Sequence, residues 1–223
     1  SPATMEQCAA WKNGGWGLRF AAGSGSWSSG VLWSNAAGAV NLSGGSLSVR
    51  NSILQAPTTN AMVYEIGEGN FAGDHNILWK VPGSLIGRNT FSGQSFPTLH
   101  SWQSFAAADA HSALANPLFA DSGSADFHVR STVGRWSPQA TNWVVDATNS
   151  WAIDAGDPAA AYTNEPLPNG ARLNIGLYGN TAEASLSPTG AVDRALLVAT
   201  LADGGIVGGM KKLTWICRGM GDS

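Results

Sequence analysis

Cys8-Ala9-Ala10-Trp11-Lys12-Asn13-Gly14-Gly15-Trp16-Gly17-Leu18-Arg19-Phe20 can be laid over Gly30-Val31-Leu32-Trp33-Ser34-Asn35-Ala36-Ala37-Gly38-Ala39-Val40-Asn41-Leu42. At one offset of 22 residues, Trp11 falls on Trp33, Asn13 on Asn35, Leu18 on Val40 and Phe20 on Leu42. The phrase recurs as Ser52-Ile53-Leu54-Gln55 and as Asn76-Ile77-Leu78-Trp79. Short apolar strands separated by Gly, Asn and Ser, at a period in the low twenties, are what one coil of a solenoid needs. A single coil cannot bury its own inner face, so stacking coils creates the core. A leucine-rich repeat has a similar period but needs an L-x-x-L-x-L frame, and none can be drawn here. The pattern predicts an all-β chain built as a right-handed parallel β-helix.

Composition agrees. Charged residues make up 12% of the 223-residue chain, with 28 Gly and 10 Trp. That is too little charge for a helical bundle and fits backbone-dense turns. A net charge of −3 gives nucleic acid and anionic membranes nothing to hold. No apolar run approaches 18 residues, so no membrane-spanning helix is expected. The start at Ser1-Pro2-Ala3, without initiator Met or leader, reads as a processed or excised piece. Cys8 and Cys217 have no C-x-x-C partner, which argues against a zinc knuckle. A disulfide within the chain, a bond between chains and free thiols all stay open.

Residues 1–100 are expected to form the coils. Residues 101–189 form a loop-rich end region, opened by one short helix over Ser101–Asp109 with Ser101 as its cap. Such a helix could cover an exposed strand edge. Residues 190–223 form a C-terminal strand pair.

In the end region the phrases Asn116-Pro117-Leu118-Phe119-Ala120-Asp121, Asp126-Phe127-His128-Val129, Trp151-Ala152-Ile153-Asp154-Ala155-Gly156-Asp157-Pro158 and Arg172-Leu173-Asn174-Ile175-Gly176-Leu177-Tyr178-Gly179 follow one another. This stretch, from about Trp102 to Thr181, resembles the C-terminal end of large secreted bacterial parallel β-helix proteins, including those called choice-of-anchor Q. Asn116, Trp151 and Leu177 depart from the family's usual Asp, Pro and Ala. The resemblance implies the fold and an extracellular or cell-surface location. It implies no single activity, because members of one fold differ in function. Leu196 to Gly205, followed by Leu213-Thr214-Trp215, resembles the opening strands of an immunoglobulin-like module, cut short after two strands.

Catalysis on such a scaffold needs two carboxylates about 5–10 Å apart. Glu65, Glu68 and Asp74 form the acidic cluster of the coils, with Lys80 or Arg88 as a nearby base, and a polar turn explains them equally well. Asp109/His111 and Asp126/His128 suggest charge relays but fit turn capping better. Asp154, Asp157 and Asn174 could ligate calcium through oxygen or could simply hold an Asx turn; no other cofactor is implied. Trp11, Trp33 and Trp79 would stack sugar rings or a partner if they point outward; the shared parity with Val31 favours inward. Two functions follow. One is a non-enzymatic module that assembles with copies of itself into a surface fibre or layer, through coil ends and the strands carrying Leu196, Leu197, Val198, Leu213, Trp215 and Cys217, with Cys8 as a cross-link. The other is a fragment of a polysaccharide-binding or polysaccharide-degrading lyase or hydrolase. The sequence leans to the first.

Overall fold

The computed structural model describes residues 2–188 and the strands Ala195–Val198 and Trp215–Arg218. Four coils of three strands each make up the first part. The first coil holds β1 (Ala3–Glu6), β2 (Ala9–Trp11) and β3 (Trp16–Phe20); the second holds β4 (Ser24–Ser28), β5 (Val31–Trp33) and β6 (Gly38–Leu42). The third holds β7 (Ser46–Arg50), β8 (Ile53–Ala56) and β9 (Met62–Ile66); the fourth holds β10 (Asn70–Asp74), β11 (Ile77–Lys80) and β12 (Leu85–Asn89). Equivalent strands pair in parallel into three walls: β1-β4-β7-β10, β2-β5-β8-β11 and β3-β6-β9-β12. The register is the one the sequence offset gives, with Trp11 beside Trp33, Val31 beside Ile53, and Ile53 beside Ile77.

The corners explain why Asn, Ser and Gly punctuate the repeat. Gln7, Ser29, Asn51 and His75 all adopt left-handed backbone at the corner between the first and second walls, with φ of 51°, 48°, 50° and 53°. That turn lifts the chain from one wall into the next. The residue after it builds a ladder through the stack: Ser52 Oγ accepts from Gly30 N, Asn76 Oδ1 from Ser52 N, and Ser112 Oγ from Asn76 N. At the opposite corner Asn35 Oδ1 accepts from both the backbone and the side chain of Asn13. These bonds satisfy buried amides that a solenoid corner would otherwise orphan.

Alternation on the second wall separates two cores. Leu32, Leu54 and Leu78 face the lumen with Val40, Leu42, Leu47 and Val49, all buried. Val31, Ile53 and Ile77 face outward, where they meet Phe119, Phe127, Ile153 and Ile175 of the end region. Burying each such aliphatic side chain stabilises the fold by about 1.5–3 kcal/mol.

The C-terminal end of the stack is closed. β13 (Ser95–Phe96) pairs antiparallel with β12, and α1 (Leu99–Ala106) follows. The expected helix over 101–109 therefore starts earlier. Thr98 is its cap, accepting from Ser101 N, and Ser101 is the third helical residue, returning the capping box. Left-handed backbone at Ala107 (φ 49°) ends it. Trp102, fully buried, stacks on Tyr64 at 5.1 Å. β14 (Ala113–Leu114) then adds a short rung to the second wall.

The end region turns back along that wall instead of extending the stack. It contains two antiparallel hairpins, β15 (Phe119–Asp121) with β16 (Asp126–Val129), and β17 (Arg135–Ser137) with β18 (Asn142–Val144). Gly176 N donates to Asn51 O at 3.0 Å, Gln7 Nε2 to Gly179 O at 3.0 Å and Lys12 Nζ to Gly123 O at 2.6 Å. The end region thus reaches back as far as the first coil. Beyond it, β19 (Ala195–Val198) pairs antiparallel with β20 (Trp215–Arg218), Leu196 opposite Cys217 and Val198 opposite Trp215. The two tail strands partner each other; Leu213 and the side chains of the tail lie outside the described residues. No helix is long and apolar enough to cross a membrane among the described residues.

Candidate functional site

With the second wall covered, the first and third walls carry the solvent-facing surface of the coils. On the third wall one row runs through all four coils in register: Arg19 beside Asn41, Asn41 beside Glu65, Glu65 beside Arg88. Asn41 Nδ2 donates to Glu65 Oε1 at 2.8 Å. Both arginines are exposed, and neither forms an ion pair among the described residues. Rungs of a parallel sheet repeat about every 4.8 Å, so the row is a ruler of polar groups with a guanidinium at each end. On the first wall the outward rows are Ser24–Ser46–Asn70, Thr4–Ser26–Ser48–Ala72 and Glu6–Ser28–Arg50–Asp74. Most of that wall is a flat face of small hydroxyls.

The last of these rows ends in a cluster. Asp74 Oδ2 lies 2.8 Å from His111 Nδ1 and 3.6 Å from His75 Nδ1, and the two imidazoles stack at 4.9 Å. Asp74 Oδ1 accepts from the backbone N–H of His75 and of His111. Burial alone would raise the Asp74 pKa, but the His111 hydrogen bonds and the nearby His75 outweigh it and hold the carboxyl below its ordinary value. Burial pushes His75 below the usual histidine value, against the attraction of Asp74. Beside the cluster a cleft of about 190 Å³ is lined by Arg50, Phe71, Asp74 and Asp109 among others.

Asp109 sits behind it, fully buried. Its carboxylate accepts from Trp102 Nε1, Ser112 Oγ, Asn76 Nδ2 and Tyr64 OH. Burial raises its pKa in spite of those donors, and Tyr64 is pushed well above its ordinary value by burial and by Asp109. Asp109 is thus the hub that ties the helix to the last coil. It does not relay charge to His111, which turns to Asp74. His128 does pair with Asp126, Nδ1 to Oδ1 at 2.6 Å; its Nε2 meets Glu183 Oε2 at 3.2 Å and its ring stacks on Tyr178 at 3.6 Å. Buried between these partners, it joins the end region together.

The remaining sequence candidates are dispersed. Glu65 lies on the third wall, Asp74 on the first and Lys80 on the second, while Glu68 stands exposed in the turn between β9 and β10. A coil corner separates neighbours in sequence onto different walls, so the acid cluster is not assembled. Asp157 Oδ2 pairs with Arg50 at 3.1 Å, Asn174 Oδ1 accepts from Asp154 N, and Asp154 Oδ1 accepts from Gly170 N and Ser187 Oγ. These three oxygens hold turns together. The tryptophans face out of the lumen, contrary to the inward expectation. Trp33 is 8% exposed with its ring against Phe119 at 4.8 Å, Trp79 is half-buried in the same outer core, and Trp11 is 41% exposed beside Phe127. The end region, not the lumen, covers Trp33 and Trp79 and flanks the exposed Trp11. Cys8 is exposed and forms no disulfide among the described residues.

The Asp74–His75–His111 grouping was missed because His111 stands 37 positions from Asp74, across β11, β12 and the helix. Asp-His at a coil corner followed by His just after the capping helix was the available signal. The sequence model of a family described as disaggregatase related matches residues 28–156, which spans the second coil to the middle of the end region. No curated protein and no solved structure matches the chain.

Proposed function

Since the chain belongs to the disaggregatase-related family, whose model covers more than half of it, we propose that it is an extracellular module that binds an acidic polysaccharide along its third wall. The observation that carries this reading is the Arg19–Asn41–Glu65–Arg88 row. The chain carries −3 overall, but in this row two exposed guanidiniums, without an ion pair among the described residues, outnumber one carboxylate and suit carboxylate or sulfate groups, which they can grip bidentately. Between them the half-buried Glu65, held in place by the buried Asn41 amide, which donates to it at 2.8 Å, suits a hydroxyl. With rungs about 4.8 Å apart, the two arginines stand three rungs from each other along the row. A family described as disaggregatase related accords better with a module that takes part in separating material than with one that builds fibres. Partial closure of one coil end points the same way: α1 and β13 cover the lumen and the third wall, and among the described residues β10 is the one five-residue strand left at an edge there, which limits stacking. The extracellular location, the choice-of-anchor Q kinship of the end region and the immunoglobulin-like character of the tail belong to the same proposal.

The test is retention on immobilised polygalacturonate or chondroitin sulfate against a neutral dextran at matched salt. Retention on the acidic matrices alone, weakening as salt rises, is expected; equal retention on dextran, or none on either, refutes the reading.

A second reading, self-assembly, is favoured by one observation: β1, β2 and β3 each stand at the end of their wall's strand order. Strand addition there would give a concentration-dependent oligomer in sedimentation.

A further inference from the structure

We propose that Asp74, His75 and His111 form a binding site for one divalent transition-metal ion of the zinc class. The inference is independent of what the third wall binds.

Three potential ligand atoms converge. One ligand atom from each of Asp74, His75 and His111 lies within 4.8 Å of the other two. The two separations from Oδ2 are 2.8 and 3.6 Å. Ligands held about 2.0–2.2 Å from zinc lie roughly 3.4 Å apart in a tetrahedron, a spacing these distances bracket.

The carboxylate is already oriented for the task. Its Oδ1 is occupied by the backbone N–H groups of the two histidines themselves, which leaves Oδ2 as the atom presented to both rings. Hydrogen bonding of the non-ligating oxygen is how protein surroundings fix a metal-binding carboxylate. The left-handed corner at His75 (φ 53°) fixes one ring, and the turn after the helix fixes the other.

A second observation points to a ligand. His75 is only 7% exposed, yet its Nδ1 has no hydrogen-bond partner among the described residues. The 3.6 Å gap to Asp74 Oδ2 is beyond hydrogen-bonding range. A buried ring nitrogen without a partner is costly in either tautomer; a cation between it and Asp74 would satisfy it through its lone pair.

Two imidazoles and one carboxylate select the class. Nitrogen donors suit zinc and its first-row neighbours, whereas calcium and magnesium take oxygen ligands. The His111 side chain is 51% exposed, so one side of the site is open to water, and a fourth position would be filled by solvent or by a ligand from outside.

The experiment uses the whole chain without a polyhistidine tag, stripped with chelator and titrated calorimetrically with zinc. One equivalent is expected to bind, with calcium at the same concentration taking no part. His111→Ala, at a half-exposed ring, should weaken zinc binding roughly tenfold or more, while His100→Ala on the helix should leave it unchanged. A measurement that needs no variant accompanies these: zinc, but not calcium, should raise the melting temperature of the unaltered chain. No uptake of zinc, an equal shift with calcium, or undiminished binding by His111→Ala would overturn the proposal.

Discussion

Gly87 lies directly beneath the indole of Trp102: a Cβ built on Gly87 would stand 2.2 Å from the Trp102 ring. The last coil leaves out a side chain so that the helix can set its tryptophan over the end of the lumen. Replacing Gly87 with Ala should cost about 1–3 kcal/mol by overpacking. Thermal unfolding and Trp fluorescence would report it, and an unchanged melting temperature would show that the helix does not seat there.

Asn76 is fully buried, with donors to Val49 O and Asp109 Oδ1 and with Oδ1 accepting from Ser52 N. Asn76→Ala would strand these groups in the corner ladder. A loss of about 2–4 kcal/mol is expected, since each orphaned buried group costs about 1–3 kcal/mol. Denaturant midpoints measure it. Asn13→Ala, at an exposed position on the first coil, should cost far less.

Glu165 gives a pH dependence. Burial raises its pKa from 4.5 to about 7, against hydrogen bonds from Asn180 N and Asn174 N; both donate to Oε1, and Oε2 has no partner among the described residues. The folded state therefore favours the protonated acid. Its contribution is fully present below pH 4.5, declines as pH rises towards about 7, and is flat above. At about 1.4 kcal/mol per unit, the decline is about 3.5 kcal/mol at most. Unfolding free energies of the wild type and Glu165→Gln, measured across that range, should differ by this slope. Parallel curves would assign the pH dependence elsewhere.

The coil register could be read from the sequence because it depends on matched residues at one offset, and Trp11–Trp33 and Asn13–Asn35 lie where that offset puts them. Which face the tryptophans take could not. Parity places Trp33 with Val31, but both faces of the second wall are buried, one by the lumen and one by the end region. An apolar alternation looks the same in either case. The helix was readable in its existence but not in its cap, because Thr98 and Ser101 are both competent caps and only the chain's approach from β13 selects Thr98. The Asp74–His111 contact is non-local, and the acids that looked clustered were divided by corners that the repeat itself implies.

The most direct test of the binding wall is the affinity for an acidic oligosaccharide of the wild type against Arg19→Ala/Arg88→Ala. Both side chains are exposed, so folding should be unaffected. A loss of roughly tenfold or more is expected, corresponding to about 1.4 kcal/mol or more, together with a shallower dependence on salt. Unchanged affinity and unchanged salt dependence would contradict the assignment of the third wall.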